Sequence, residues 1–111
     1  MTSKLDPKVR ARCESRAQVI KALAHPSRLV IVEELGRAGE KCVCELADLL
    51  GLDMSTTSRH LSQMKEAGIL QDEKRGQMTF YRLRTPCILQ FLDCIDGVIQ
   101  QGLESRLKLL R

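Results

Sequence analysis

The sequence predicts a mainly α-helical fold with a small β-hairpin. Apolar or small residues recur every three or four positions over residues 7–24, which is the pattern of one helix face. Two β-prone stretches, residues 69–73 and 78–83, flank a turn that contains Gly76, and such a turn is typical of a hairpin. Apolar periodicity and breaks at proline or glycine predict four more helices, over residues 26–35, 45–50, 55–67 and 86–110.

Proline, glycine and serine mark the predicted helix ends. The residue before Pro26 is disfavoured in the helical region, while Pro26 itself suits the first turn of the second helix. Gly36 and Gly39 are expected to end that helix, because glycine readily adopts the left-handed conformation of a C-terminal cap. Ser55 is expected to cap the fourth helix, and Gly68 is expected to end it.

The third and fourth predicted helices, joined by a short turn that contains Gly51, have the plan of a helix-turn-helix unit. The hairpin that follows them would form a wing, so the predicted fold class is a winged helix-turn-helix. In such a unit the second helix lies in the major groove of DNA, with its N-terminal residues toward the base edges. The outward residues that can form hydrogen bonds there are Ser55, Thr56, Ser58, Arg59, His60 and Gln63.

The charge pattern favours binding to a polyanion. Residues 54–64 contain no acidic side chain, and Arg59 can grip a guanine edge or a phosphate there. Lys74 and Arg75 at the hairpin tip can contact phosphates beside the groove. The chain as a whole has a net charge of +4, with basic segments on either side of an acidic middle. Double-stranded DNA is therefore the predicted partner.

Size and composition predict one small domain over residues 1–111. Hydrophobic residues make up 43% of the chain and charged residues 29%, which is typical of a globular chain and not of a disordered one. A core of this size is marginal, so we expect the first and last helices to form the interface of a homodimer. No apolar run approaches the roughly 20 residues that span a bilayer, and the N-terminus lacks the apolar region of a secretory signal. We therefore expect no membrane association and a cytoplasmic location.

Five cysteines are many for a chain of 111 residues, and their odd number disfavours a secreted disulfide framework. Two of them lie in the sequence Cys42-Val43-Cys44, which we predict to be extended. Residues two apart on a strand point the same way, so both sulfurs can meet one ion. Cys44 would also precede a helix that starts at Glu45, whose N-terminal dipole favours a thiolate. Because soft ions prefer thiolate ligands, Cys42 and Cys44 are the predicted metal site.

Four motifs together resemble the ArsR/SmtB family of metal-sensing repressors. They are Lys21-Ala-Leu-Ala-His-Pro-Ser-Arg-Leu29, Cys42-Val-Cys-Glu-Leu-Ala47, Met54-Ser-Thr-Thr-Ser-Arg-His-Leu61 and Lys65-Glu-Ala-Gly-Ile-Leu70. The resemblance implies a homodimeric winged-helix repressor that leaves its operator DNA when it binds a metal or metalloid. The Cys-Val-Cys motif is similar to the thiolate site of the arsenic- and cadmium/lead-sensing branches. This similarity implies As(III) or Sb(III) as the inducer, with Cd(II) or Pb(II) as alternatives.

The third ligand and the class of inducer stay open at this point. The arsenic branch can have a third cysteine three residues after the pair, where this sequence has Ala47, which leaves Cys13, Cys87 or Cys94 of either protomer. The last helix has no histidine, which disfavours a zinc or nickel site of the His/Asp kind there. The inducer could instead be an oxidant or a persulfide. A small thiol enzyme or metallochaperone is a third hypothesis, but the sequence lacks a Cys-x-x-Cys motif and a Gly-rich phosphate loop.

Overall fold

The computed structural model describes residues 4–110, so the first three residues and the last residue of the predicted domain lie outside the described part. Within it, five helices surround a small antiparallel sheet, and the elements follow the predicted order with one added strand. In chain order they are α1 (Pro7–Leu23), α2 (Pro26–Ala38), β1 (Lys41–Cys42), α3 (Val43–Leu50), α4 (Met54–Glu66), β2 (Leu70–Arg75), β3 (Met78–Leu83) and α5 (Ile88–Leu109).

Helix α2 starts as predicted but ends later. Nδ1 of His25 caps its start by accepting a hydrogen bond from the Ser27 backbone N–H at 3.1 Å. The helix then continues through Gly36, so the prediction that Gly36 ends it was wrong. An interior glycine costs only about 1 kcal/mol relative to alanine, which does not break a packed helix. Gly39, with φ of 88°, provides the C-terminal cap.

Helix α4 is capped by Asp53 and not by Ser55, which corrects the predicted cap. The Asp53 carboxylate accepts a hydrogen bond from the Thr56 backbone N–H at 2.8 Å. Gly51 ends α3 in the left-handed conformation, and only residues 52 and 53 connect it to α4. This short connection brings a carboxylate to the first free N–H groups of α4, where it also complements the helix dipole.

The three strands form one antiparallel sheet in the order β1-β3-β2. Strands β2 and β3 make the predicted hairpin, in which Leu70 pairs with Leu83 and Arg75 pairs with Met78. Strand β1 adds a third member that the sequence did not predict, and it places Cys42 opposite Phe80. The sheet therefore joins the segment that carries the cysteine pair to the wing.

The core lies between α2, α3, α4 and the inner side of the sheet. It is formed by Leu23, Ile31, Val32, Leu35, Leu46, Leu61, Met64, Ile69, Leu70, Tyr81 and Leu83. Helix α1 contributes only Leu23, because most of its length extends beyond this core. No helix within residues 4–110 combines the length and the apolar character that crossing a membrane requires.

Helix α5 lies largely outside the core. None of its described residues is buried, and apolar side chains such as Val98 (70% exposed) and Leu107 (59% exposed) face outward. The radius of gyration is 17.6 Å, whereas a compact domain of this length has about 13 Å. Because the projecting helices leave apolar faces exposed, we expect a partner to cover these faces.

Candidate DNA interface and thiol site

The helix-turn-helix unit places part of the predicted recognition surface in the open. Ser55 and Arg59 on the N-terminal half of α4 are exposed, and Thr56 is half-buried beside them. Thr57 is fully buried, and its hydroxyl donates to the Asp53 backbone carbonyl at 2.9 Å. This contact holds the start of α4 in place, so that Arg59 is presented from a fixed helix.

His60 and Gln63 are bound by a residue that sequence analysis did not identify as functional. Nε of Arg28 donates to Nδ1 of His60 at 2.9 Å, and Nη2 donates to Oε1 of Gln63. Nη1 of the same guanidinium donates to the backbone carbonyl of Ala22 at 3.0 Å. Arg28 therefore ties α4 to the end of α1 and the start of α2. The available sequence signal was its position two residues after Pro26, inside the first family motif.

The His60 ring lies in a cationic and partly desolvated environment. Its centroid is 4.6 Å from that of His25, with the two rings inclined by 51°. Burial lowers the pKa of His60, and the positive charges of Arg28, His25 and Arg59 lower it further. The imidazole is thus neutral at physiological pH, which its role as an acceptor from Arg28 requires.

The two predicted phosphate contacts on the wing have different surroundings. Lys74 is exposed at the hairpin tip. Arg75 binds Glu40 through both terminal nitrogens, at 2.7 and 2.9 Å, and Glu73 at 2.8 Å. Its guanidinium carbon also lies 4.6 Å from the centroid of the Phe80 ring. The hydrogen bonds that Arg75 donates to these carboxylates raise its pKa, and the carboxylates already neutralise its charge locally.

The cysteine pair lies at the start of α3, and its backbone corrects the predicted extended segment. Of these three residues only Cys42 lies in β1, and it is also the N-terminal cap of α3. Val43 and Cys44 belong to the first turn of the helix. The sulfurs nevertheless lie 2.7 Å apart. The turn from β1 into α3 therefore brings the two sulfurs together. The sequence predicted that the sulfurs would meet, but on an extended backbone.

The two thiols differ in exposure and acidity. Cys42 is 1% exposed, whereas Cys44 is open to solvent. Burial raises the pKa of the Cys42 thiol, and the contact with Cys44 raises it further. Cys44, which we expected to precede a helix that starts at Glu45, instead lies in the first turn of α3, because the helix starts at Val43. Glu45 accepts a hydrogen bond from the Cys42 backbone N–H at 3.2 Å, and this capping box holds the pair at the helix entrance.

The remaining cysteines do not complete a site within one protomer. Cys13 on α1, Cys87 directly before α5 and Cys94 on α5 are exposed free thiols. Within residues 4–110, no three histidine, cysteine or acidic side chains come together as a set that could hold a metal ion. The pair supplies two sulfur donors, which fits a soft ion, and no third such side chain completes a set with it among the described residues.

A groove of about 440 Å³ joins the thiols to the DNA-binding elements. It is lined by Cys42, Val43, Cys44, Met54, Ser58, Gln77, Met78 and Thr79. Ser58, which we predicted to face DNA, thus lines the same groove as the two sulfurs. A ligand that fills this groove would therefore contact the thiols, the first turns of α4 and the wing.

Comparison with known proteins agrees with this arrangement. The family described as "Bacterial regulatory protein, arsR family" matches residues 25–72, which include Arg28, the cysteine pair and all of α4. The arsenic resistance transcriptional regulator ArsR1 of Pseudomonas putida is 42% identical over 87 residues, covering 78% of this chain and 67% of that protein. The chain belongs to the ArsR family. It is therefore a transcriptional regulator and not an enzyme, which removes the thiol enzyme hypothesis and confirms the resemblance.

Solved structures of ArsR-family proteins confirm the winged helix-turn-helix fold. The homodimeric DNA-binding domain of a possible ArsR-family regulator from Mycobacterium bovis superposes with a TM-score of 0.77 at 25% identity, covering 94% of this chain and 95% of that chain. The AntR antimony-specific transcriptional repressor superposes with a TM-score of 0.71 at 25% identity, covering 93% and 99%. Both matches extend over α1 and α5 as well as the core.

Proposed function

We propose that this ArsR-family protein is a metalloid-responsive repressor. A cytoplasmic homodimer binds operator DNA and releases it when a soft ion, As(III) or Sb(III), binds Cys42 and Cys44. The observation that carries the proposal is the 2.7 Å separation of the two sulfurs at the entrance of the helix-turn-helix unit. Regulators of arsenic resistance are 42% and 44% identical to this chain and cadmium resistance regulators 33–34%, and this difference favours As(III) or Sb(III) over Cd(II) or Pb(II).

The chemistry of the pair suits a thiophilic ligand. Trivalent arsenic and antimony bind thiolate sulfur, and each Cys–ion bond replaces a thiol proton. Exposed Cys44 gives the ion its entry, and buried Cys42 then provides a partly desolvated second ligand. The third thiolate comes from Cys13, Cys87 or Cys94, of the same or the partner subunit.

The coupling between ion and DNA follows from the position of the groove. Drawing both sulfurs onto one ion shifts the start of α3 and the groove wall that contains Ser58 of α4. A dimer has to place its two recognition helices about 34–36 Å apart to meet adjacent major-groove faces. A small rotation in each protomer therefore loses contacts in both half-sites. By reciprocity, DNA lowers the affinity for the ion by the same factor.

The proposal is tested by fluorescence anisotropy of a labelled duplex that carries the promoter of the protein's own operon. With reductant present, arsenite should release the wild-type protein from the duplex. Cys42→Ser and Cys44→Ser should each bind the duplex but remain bound on arsenite addition. Cys13→Ser, Cys87→Ser and Cys94→Ser are the matched thiol controls, and the one that also resists release supplies the third ligand. Release of the Cys42→Ser, Cys44→Ser double variant at the wild-type arsenite concentration would contradict the site.

The close approach of the two sulfurs also favours a second candidate, a thiol-redox repressor of the same fold. An oxidant such as hydrogen peroxide would remove two hydrogens from Cys42 and Cys44 and join them as a disulfide, with the peroxide reduced to water. The same anisotropy assay separates the candidates. Release by peroxide without reductant, combined with no release by arsenite in its presence, would favour the redox function.

A further inference from the structure

We propose that Arg28 turns the His60–Gln63 part of α4 into a surface of hydrogen-bond donors, which selects guanine in the major groove. The inference rests on the proposed function, since it requires α4 to lie against DNA. Arg28 then has a positioning role. The side chains of His60 and Gln63, which the sequence identifies only as polar, each present a hydrogen-bond donor.

The polarity follows from the chemistry of the guanidinium. Arginine has five N–H donors and no acceptor, so each atom that it binds has to be an acceptor. The amide of Gln63 therefore turns its oxygen to Arg28, which leaves its NH₂ group for other partners. Nδ1 of His60 has to carry a lone pair, so the proton of the neutral ring is on Nε2.

Both remaining donors reach the solvent. Gln63 is exposed and His60 is half-buried. Within residues 4–110, no side-chain nitrogen or oxygen is both buried and without a hydrogen bond, and Nε2 of His60 has no partner among these residues. That nitrogen is therefore accessible. Arg59, one position earlier and exposed, adds a third side chain that only donates.

A surface of donors distinguishes between bases. Glutamine reads adenine by accepting from its amino group while donating to N7, and this pairing competes with the charged guanidinium of Arg28 for the amide oxygen. Adenine and cytosine each present an amino donor in the major groove, which finds no acceptor on His60 or Arg59 and only an oxygen already bound to Arg28 on Gln63. Guanine presents two acceptors, N7 and O6, and matches the surface. The expected half-site therefore has guanine opposite this part of α4.

The test is selection of duplexes from a library of about 30 base pairs with a randomised centre, because the natural operator is not needed for it. Selection with Gln63→Ala identifies the positions that Gln63 contacts, because their base preference changes in that variant. At these positions the wild-type protein should enrich guanine. Replacing those guanines by 7-deazaguanine, which lacks the N7 acceptor, should weaken binding about fivefold or more, the effect of losing a specific base contact.

Three variants separate the role of Arg28 from general stability. Arg28→Lys keeps the positive charge but has no fork to hold both partners, and it should lower the ratio of guanine to adenine preference at least about fivefold. Gln63→Glu keeps an acceptor for Arg28 but has no donor, so it should lose the same preference with the contact intact. Gln18→Met, in the same cavity as Arg28, is the matched control and should retain the wild-type preference.

The outcomes distinguish an error in the proposed base preference from an error in the proposed function. Because preference is measured as a ratio between bases, a uniform loss of affinity in a destabilised variant does not imitate the expected result. An unchanged ratio in both Arg28→Lys and Gln63→Glu, or adenine enrichment by the wild type at these positions, would overturn the inference alone. Failure of the wild type to enrich any sequence would overturn the proposed function as well.

Discussion

Cys42 lies directly opposite Phe80 across the antiparallel strands β1 and β3. The ring of Phe80 contacts the guanidinium of Arg75, and Arg75 binds Glu40, which precedes β1. The buried thiol of Cys42 is thus on the strand next to β3 of the wing, and it lines the groove that reaches α4. An ion on the cysteine pair is expected to displace both DNA-binding elements together.

The wing contacts should differ in strength. Lys74→Ala should weaken binding to all duplexes and reduce the slope of log affinity against log salt by about one, because one phosphate contact is lost. Arg75→Ala should have a smaller effect, since Glu40 and Glu73 already neutralise Arg75. Glu40→Gln frees one side of that guanidinium and should steepen the salt dependence. Equal slopes for Lys74→Ala and Arg75→Ala would show that Arg75 leaves its carboxylates on DNA.

Arg59 should contribute more to specificity than the other recognition-helix residues that we predicted to contact DNA. Arg59→Ala is expected to cost about 1–3 kcal/mol in binding to the operator duplex if the guanidinium contacts a base in bidentate fashion. Binding to an unrelated duplex of the same length should change little. Anisotropy with both duplexes provides the measurement, and Ser55→Ala, at another predicted DNA contact four positions earlier on α4, should cost less on the operator duplex. An equal loss on both duplexes would show that Arg59 contacts phosphate only.

The apolar face of α5 should hold the homodimer together. Leu103→Glu places a charge on that face and should yield monomers at micromolar concentration in sedimentation experiments, with loss of operator binding. Gln100→Glu introduces the same charge at an exposed polar position of the same helix and should leave the dimer intact. A wild-type protein that sediments as a monomer at this concentration would contradict the dimer.

Stability should decrease in mild acid through His60. Its folded pKa lies below the ordinary value of 6.5, so the unfolded chain binds a proton more readily than the folded one. The contribution of His60 to the free energy of unfolding is fully present above pH 6.5 and is lost as the pH falls through the folded pKa. The Tm should therefore fall between about pH 7 and about pH 5, and less so in His60→Gln. His25→Asn keeps a capping oxygen and should weaken the pH dependence only in part, because burial and Arg28 are the larger causes of the lowered His60 pKa. An unchanged dependence in His60→Gln would assign it to other groups.

The helices, the hairpin and the cysteine pair were accessible from the sequence because each depends on neighbours within a few positions. Period-3.6 apolar spacing, Pro26 and the Gly76 turn determine local backbone whatever surrounds them. The sulfurs of Cys42 and Cys44 meet because a single residue, Val43, separates them, although the backbone there turns into a helix and does not stay extended.

Local rules were less reliable where two signals compete. Both Asp53 and Ser55 are good capping residues, and the two-residue link after Gly51 decides for Asp53. Gly36 and Gly39 are equally permissive, yet only Gly39 has the positive φ that ends α2, since packing continues the helix past Gly36. The exact ends of helices thus depend on the length of chain available to reach the next element.

The sequence by itself determined the family, the winged fold and the thiol pair, because motifs and periodicity are local properties. Only the tertiary structure decided which polar residues are free to contact DNA. Arg28 meets its partners on α4 across 32 and 35 positions, and Arg75 meets Glu40 across 35. No periodicity encodes such pairs, because they form only when packing brings α2 against α4 and the wing against β1. The same side chains look equally available in the sequence, whereas packing leaves Arg59 and Lys74 exposed, binds one acceptor each of His60 and Gln63 to Arg28, and pairs Arg75 with carboxylates.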